Sequence, residues 1–77
     1  MKKVLKKIVF DVIESTDYIT KAEIKDQVLD YAVKNKILTK EFVIAFGDIG
    51  WVFQDLRQID ESIDCVKDGR NWFWYAT

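Results

Sequence analysis

The chain has no histidine, one cysteine (Cys65) and only three glycines in 77 residues. Without histidine, and with a single thiol, the common nucleophile–base pairs cannot be assembled. One cysteine closes no internal disulfide, and a zinc site needs about four nitrogen or sulfur ligands. No glycine-rich loop is present. Acid–base chemistry would rest on Asp and Glu alone, and no carboxylate pair stands out from ordinary surface charge. The sequence therefore predicts a protein that is not an enzyme and that carries no cofactor and no metal. It also lacks any run near the ~20 apolar residues of a membrane span. Met1-Lys2-Lys3-Val4-Leu5 resembles the start of a signal peptide, but Lys6, Lys7, Asp11 and Glu14 interrupt it before an apolar core develops. The expected location is cytoplasmic, which suits a lone thiol.

What is present is apolar content, 49 % of residues. A chain of this length is expected to form one domain over 1–77, and it hides only about 60 % of its unfolded surface on folding, so stability depends on that apolar content or on a partner. Residues 2–14 read as a helix, with Val4, Leu5, Ile8, Val9, Val12 and Ile13 in one stripe. Thr20 and Glu23 form a capping box, with Ile19 and Ile24 as its hydrophobic staple. The helix that follows runs to about Val33, and its broad apolar arc predicts packing on two sides. Thr39 caps a short segment, 40–46, with Leu38 and Val43 in staple positions and Gly47 as its end. Asp48 offers a new N-cap. Ile49, Val52, Phe53, Leu56 and Ile59 then recur at helical spacing up to about Asp60. Gly47 and Gly50 allow the alternative of one kinked helix.

The segment "KDGRNWFWYAT" differs in kind. Asp68-Gly69 reads as a two-residue type I′ hairpin turn. Built outward from it, Cys65 faces Trp72 and Ile63 faces Trp74. One strand face then carries Ile63, Cys65, Trp72 and Trp74; the other carries Asp64, Val66, Phe73 and Tyr75. One face can pack on the helices. The second is either folded against the small core or left as a contact surface.

The resulting architecture is α+β and mostly helical: three to four helices followed by a C-terminal β-hairpin. On "YITKAEIKDQVLDYA" (18–32), "DIGWVFQDLRQIDESIDCV" (48–66) and "KDGRNWFWYA" (67–76), the chain resembles the winged-helix form of the helix-turn-helix superfamily over nearly its whole length. The stretch 33–47 is longer than a tight helix-turn-helix connection. The resemblance implies that the 48–60 helix enters the major groove of duplex DNA and that the hairpin is a wing. Gln54, Arg57 and Gln58 would then reach base edges, and Lys67 and Arg70 at the wing tip would touch phosphate. Doubling a small reader by symmetry makes a homodimer a natural form.

Charge argues the other way. Residues 1–40 carry nine lysines against six acids, whereas residues 41–77 carry Arg57, Lys67 and Arg70 against seven acids. Phosphate binding needs cations on the reading surface, and the lysines concentrate instead in Lys2, Lys3, Lys6 and Lys7 and around the second helix. The alternative is a module that binds another protein through Trp51, Trp72, Phe73, Trp74 and Tyr75, rimmed by acidic residues. Cys65 is expected to be structural, facing the helices.

Overall fold

The computed structural model describes residues 1–77. The elements run α1 (Lys2–Ser15), β1 (Ile19–Thr20), α2 (Lys21–Lys34), α3 (Lys40–Gly47), α4 (Gly50–Gln54), a π-helical segment (Asp55–Ile59), β2 (Ile63–Asp68) and β3 (Asn71–Ala76). The three strands form one antiparallel sheet in the order β1-β3-β2. The fold is thus α+β and mostly helical, as the sequence suggests. No helix is long and apolar enough to cross a membrane.

One core of sixteen buried residues joins all of these elements, and no polar or charged residue is buried. α1 contributes Leu5, Ile8, Val9, Val12 and Ile13, five of the six residues in its predicted stripe. α2 starts with half of its expected capping box: the Thr20 side chain accepts from the Glu23 backbone N–H at 3.3 Å, but Glu23 Oε1 accepts from the Thr20 hydroxyl, at 2.9 Å, and not from the Thr20 backbone N–H. Ile19 and Ile24 of the staple are both buried. α2 buries Ile24, Val28 and Ala32, a single row at i, i+4, i+8, while Tyr31 and Val33 stay exposed. Of the residues that widen its apolar arc, Leu29 is partly buried against the core and Val33 is exposed, so the arc is covered only in part. Thr39 caps α3 by accepting from the Phe42 N–H at 3.2 Å. Its expected staple does not close: Leu38 and Val43 are exposed, and Phe42 is the one residue of α3 that is buried.

The 40–60 region is two helices. α3 ends at Gly47, and the backbone turns at Asp48 and Ile49 with tight i→i−3 hydrogen bonds. Asp48 does not cap the next helix through its side chain; Ile49 holds that position. α4 then widens. The Asp60 N–H donates to the Asp55 carbonyl, five residues back, at 2.9 Å. Each residue of a π turn advances the side chain by less than in an α-helix, so position 59 falls behind the stripe. Ile59, expected in the core, is consequently 73 % exposed. Leu56 is the last residue of the stripe to be buried.

The hairpin differs from expectation in register. Its turn is Gly69-Arg70, and the strands pair as Asp68 with Asn71, Lys67 with Trp72, Cys65 with Trp74 and Ile63 with Ala76. Gly69 has φ +64° and Arg70 has no positive φ, which matches a type II′ turn with glycine in its first central position. Moving the turn by one residue slides the pairing by two. Each side chain therefore keeps its predicted face. Ile63 and Trp74 point into the core, with Cys65 half-buried beside them. β1, which no sequence pattern signals, pairs Ile19 with Trp74 and Thr20 with Phe73, and makes β3 the central strand.

Phe53 is buried at the centre of this assembly and touches the Trp74 ring. Phe53→Ala should cost about 3–5 kcal/mol, most of what a chain of this size has available. Thr20→Ala should cost about 1 kcal/mol. In urea titrations followed by circular dichroism, the first variant should be largely unfolded without denaturant and the second should lose a modest part of its midpoint.

Candidate nucleic-acid interface

The residues that frame the main surface groove come from three elements that meet at the hairpin. The start of α2 supplies Thr20, Lys21 and Ala22, the π segment supplies Arg57, and the hairpin supplies Cys65, Arg70, Asn71, Trp72 and Trp74. The groove measures about 580 Å³. Its lining holds three cations and no carboxylate.

Each cation is held in a different way. The Lys21 ammonium lies 4.9 Å from the Phe53 ring centre and 5.4 Å from that of Trp74. Those two rings meet at 4.8 Å with a tilt of 54°. Quadrupole attraction thus fixes a charge on the groove wall. Arg57 donates from Nε to Asp64 Oδ1 at 3.0 Å, and the same oxygen accepts from the Cys65 N–H at 2.8 Å. Both side chains of this pair are about half exposed. The bond uses one of the five guanidinium N–H donors and leaves the others free of Asp64. Arg70 is exposed at the turn. Trp74 is buried, and its indole Nε1–H has no protein acceptor.

The structure brings some of the expected site residues together and separates others. Arg57 and Arg70 share the groove. Lys67 is exposed and pairs across the strands with Trp72, on the same sheet face. Gln54 and Gln58 are exposed one turn apart, with Gln54 Nε2 donating to Gln58 Oε1 at 3.5 Å. They lie outside the groove; Gln58 lines a separate depression with Arg57, Glu61 and Asp64. Lys21 was not singled out from the sequence. Its only signal is its place directly after the Thr20 cap, and it reaches the hairpin because β1 pairs with β3.

Three of the four lysines of the α1 cluster have partners elsewhere. Lys6 bridges to Asp60 at 2.8 Å, Lys7 to Asp11 at 3.7 Å, and Lys2 sits 5.4 Å from the Trp51 ring centre. Trp51 is half-buried against the core under that lysine, not a free anchor. Of the other expected anchors, Trp74 is buried and belongs to the core, Phe73 and Tyr75 are half-buried, and only Trp72 is more than half exposed, at 53 %. Cys65 is half-buried, packed on the core and bordering the groove.

Compared with known proteins, the chain matches no family model, no curated protein and no solved structure.

The three tryptophans differ enough in exposure to be told apart in solution. Acrylamide should quench Trp72 first, so Trp72→Phe should remove most of the readily quenched emission. An unchanged quenching curve in that variant would show that Trp72 is packed.

Proposed function

We propose that this chain is a non-enzymatic DNA-binding module of winged-helix type, which meets duplex DNA with the exposed side of the 50–59 helical segment and with the hairpin tip. The observation that carries this reading is the groove lined by Lys21, Arg57 and Arg70 with no carboxylate among its lining residues. The C-terminal half is acidic as a whole, but its charge is distributed. Asp60 is neutralised by Lys6 and Asp64 by Arg57. Lys21 and Arg70 are thus the groove cations outside any ion pair, and phosphate neutralisation is the largest sequence-independent source of affinity for DNA. Gln54 and Gln58 stand on the helix beside Arg57, where their amides would meet adenine edges and Arg57 a guanine or phosphate. Lys67 and Arg70 would hold the backbone. The element order, with a hairpin closing a sheet whose third strand precedes α2, supports the winged-helix reading, and the same surface used twice in a homodimer would double these contacts.

A second reading, binding to another protein, is favoured by a different surface. On the sheet face away from the core, half-buried Tyr75 meets Tyr18, 61 % exposed in the bend before β1, with ring centres 5.5 Å apart and tilted by 36°; exposed Val66 and half-buried Phe73 share that face. Exposed aromatic residues of this kind are enriched at interfaces.

A titration of isotopically labelled protein with mixed-sequence duplex DNA, at low and at moderate salt, separates the two. Salt-sensitive amide shifts are expected at 20–22, 50–58 and 67–70. Arg70→Ala should weaken binding similarly on all sequences and lower the salt slope by about one. No shifts at low salt, where phosphate attraction is least screened, would end the DNA reading and direct attention to the Tyr18–Tyr75 face.

A further inference from the structure

The same groove carries an exposed aromatic ring, Trp72, that the duplex reading does not use. The groove is an open depression of about 580 Å³, large enough for a small organic ligand. One wall carries Trp72, which is 53 % exposed although it belongs to the core-facing side of the hairpin. The ring pairs of the protein are Tyr18–Tyr75, Phe42–Phe46 and Phe53–Trp74, and Trp72 joins none of them. The cation–π contacts fall on Trp51, Phe53 and Trp74, again not on Trp72. A large aromatic ring is thus left without a stacking partner at the edge of a cationic groove.

Resting on the nucleic-acid reading above, we infer that this groove takes one unpaired nucleotide, with its base stacked on Trp72 and its phosphate held by Lys21, Arg57 and Arg70. Stacking on an aromatic side chain beside a cationic track is the general way that proteins hold single-stranded nucleic acid, since every base offers a π-face. Two of the three cations are already oriented, Lys21 over the Phe53 and Trp74 rings and Arg57 by Asp64. Holding these groups in place before the ligand arrives lowers the ordering cost of binding. Asn71, also in the lining, offers an amide donor and acceptor to a base edge. The site would accept the end of an opened duplex, an overhang or a single strand. Trp72 would discriminate such DNA from a fully paired duplex, which the helix and the wing tip hold without it.

Fluorescence anisotropy with a labelled oligothymidylate and with a labelled blunt-ended mixed-sequence duplex tests this. The proteins are the full chain, Trp72→Ala and Trp72→Phe. Trp72 lies outside the buried core, and circular dichroism confirms that each variant is folded. The unsubstituted chain should bind both probes. Trp72→Ala should weaken oligothymidylate binding roughly tenfold, the order expected for losing one base–aromatic stack, and change duplex binding by far less. Trp72→Phe should recover most of the loss. If Trp72→Ala affects both probes equally, or neither, the stacking site is overturned. If the unsubstituted chain binds the duplex but not oligothymidylate, this inference fails alone. If it binds neither probe, the DNA-binding reading fails with it.

Discussion

The contact between Phe53 and Trp74, beneath the Lys21 ammonium, is the junction on which the rest of this small structure depends. It joins α4, the central strand of the sheet and the first residue of α2 at one point. A tilted aromatic pair contributes about 0.5–1.5 kcal/mol beyond the area it buries, and a cation over the rings adds about 0.5–2 kcal/mol according to how far it is desolvated. These sums are modest, but a domain of this size has few such terms. The geometric consequence is larger than the energetic one. With the hairpin docked on Phe53, Arg57 and Arg70 line one groove. Undocked, they would be two unrelated surface charges.

The distribution of charge follows from the same docking. A count along the chain makes the C-terminal half acidic, and on that count a DNA-binding surface there looks unfavourable. In three dimensions the acids are partly consumed in pairs. Lys6 of α1 meets Asp60 just beyond the π segment, and Arg57 meets Asp64 at the start of β2. Exposed pairs of this kind contribute at most about 1 kcal/mol to stability, so their main effect is to place charge. They take carboxylates out of play on one side of the helix and leave the groove side to Lys21 and Arg70. The basic cluster of α1, which looks in the sequence like a candidate phosphate patch, is the source of one of those counterions.

The helices were legible because helical periodicity and capping are local. The stripe of α1, the Thr20 and Thr39 caps and the Ile19–Ile24 staple all follow from residues a few positions apart. The faces of the hairpin strands were legible because strand alternation has a period of two, and the two-residue slide in pairing preserves it. The turn itself was not: "KDGRN" contains both an Asp-Gly and a Gly-Arg pair, and glycine satisfies the positive φ in either frame. A two-residue strand such as β1 is too short to carry a pattern. The π turn that exposes Ile59 arises from hydrogen bonding that skips one residue, which side-chain periodicity does not report. The groove was the least legible feature, because it assembles residues 20–22, 57, 65, 70–72 and 74 through tertiary contacts alone. The fates of the aromatics in "WFWY" divide accordingly: Trp74 completes the core, Phe73 and Tyr75 line the far side of the sheet, and Trp72 is left at the groove.

The measurement that tests this account most directly is a set of proton–proton NOEs around the junction in the free protein. Strong NOEs are expected between the Phe53 ring and the Trp74 indole, with side-chain methylenes of Lys21 shifted upfield by the two rings. Absence of the Phe53–Trp74 NOEs, with Lys21 resonances at ordinary positions, would contradict it. The hairpin would then not be docked as described, and no groove would join Lys21, Arg57 and Arg70.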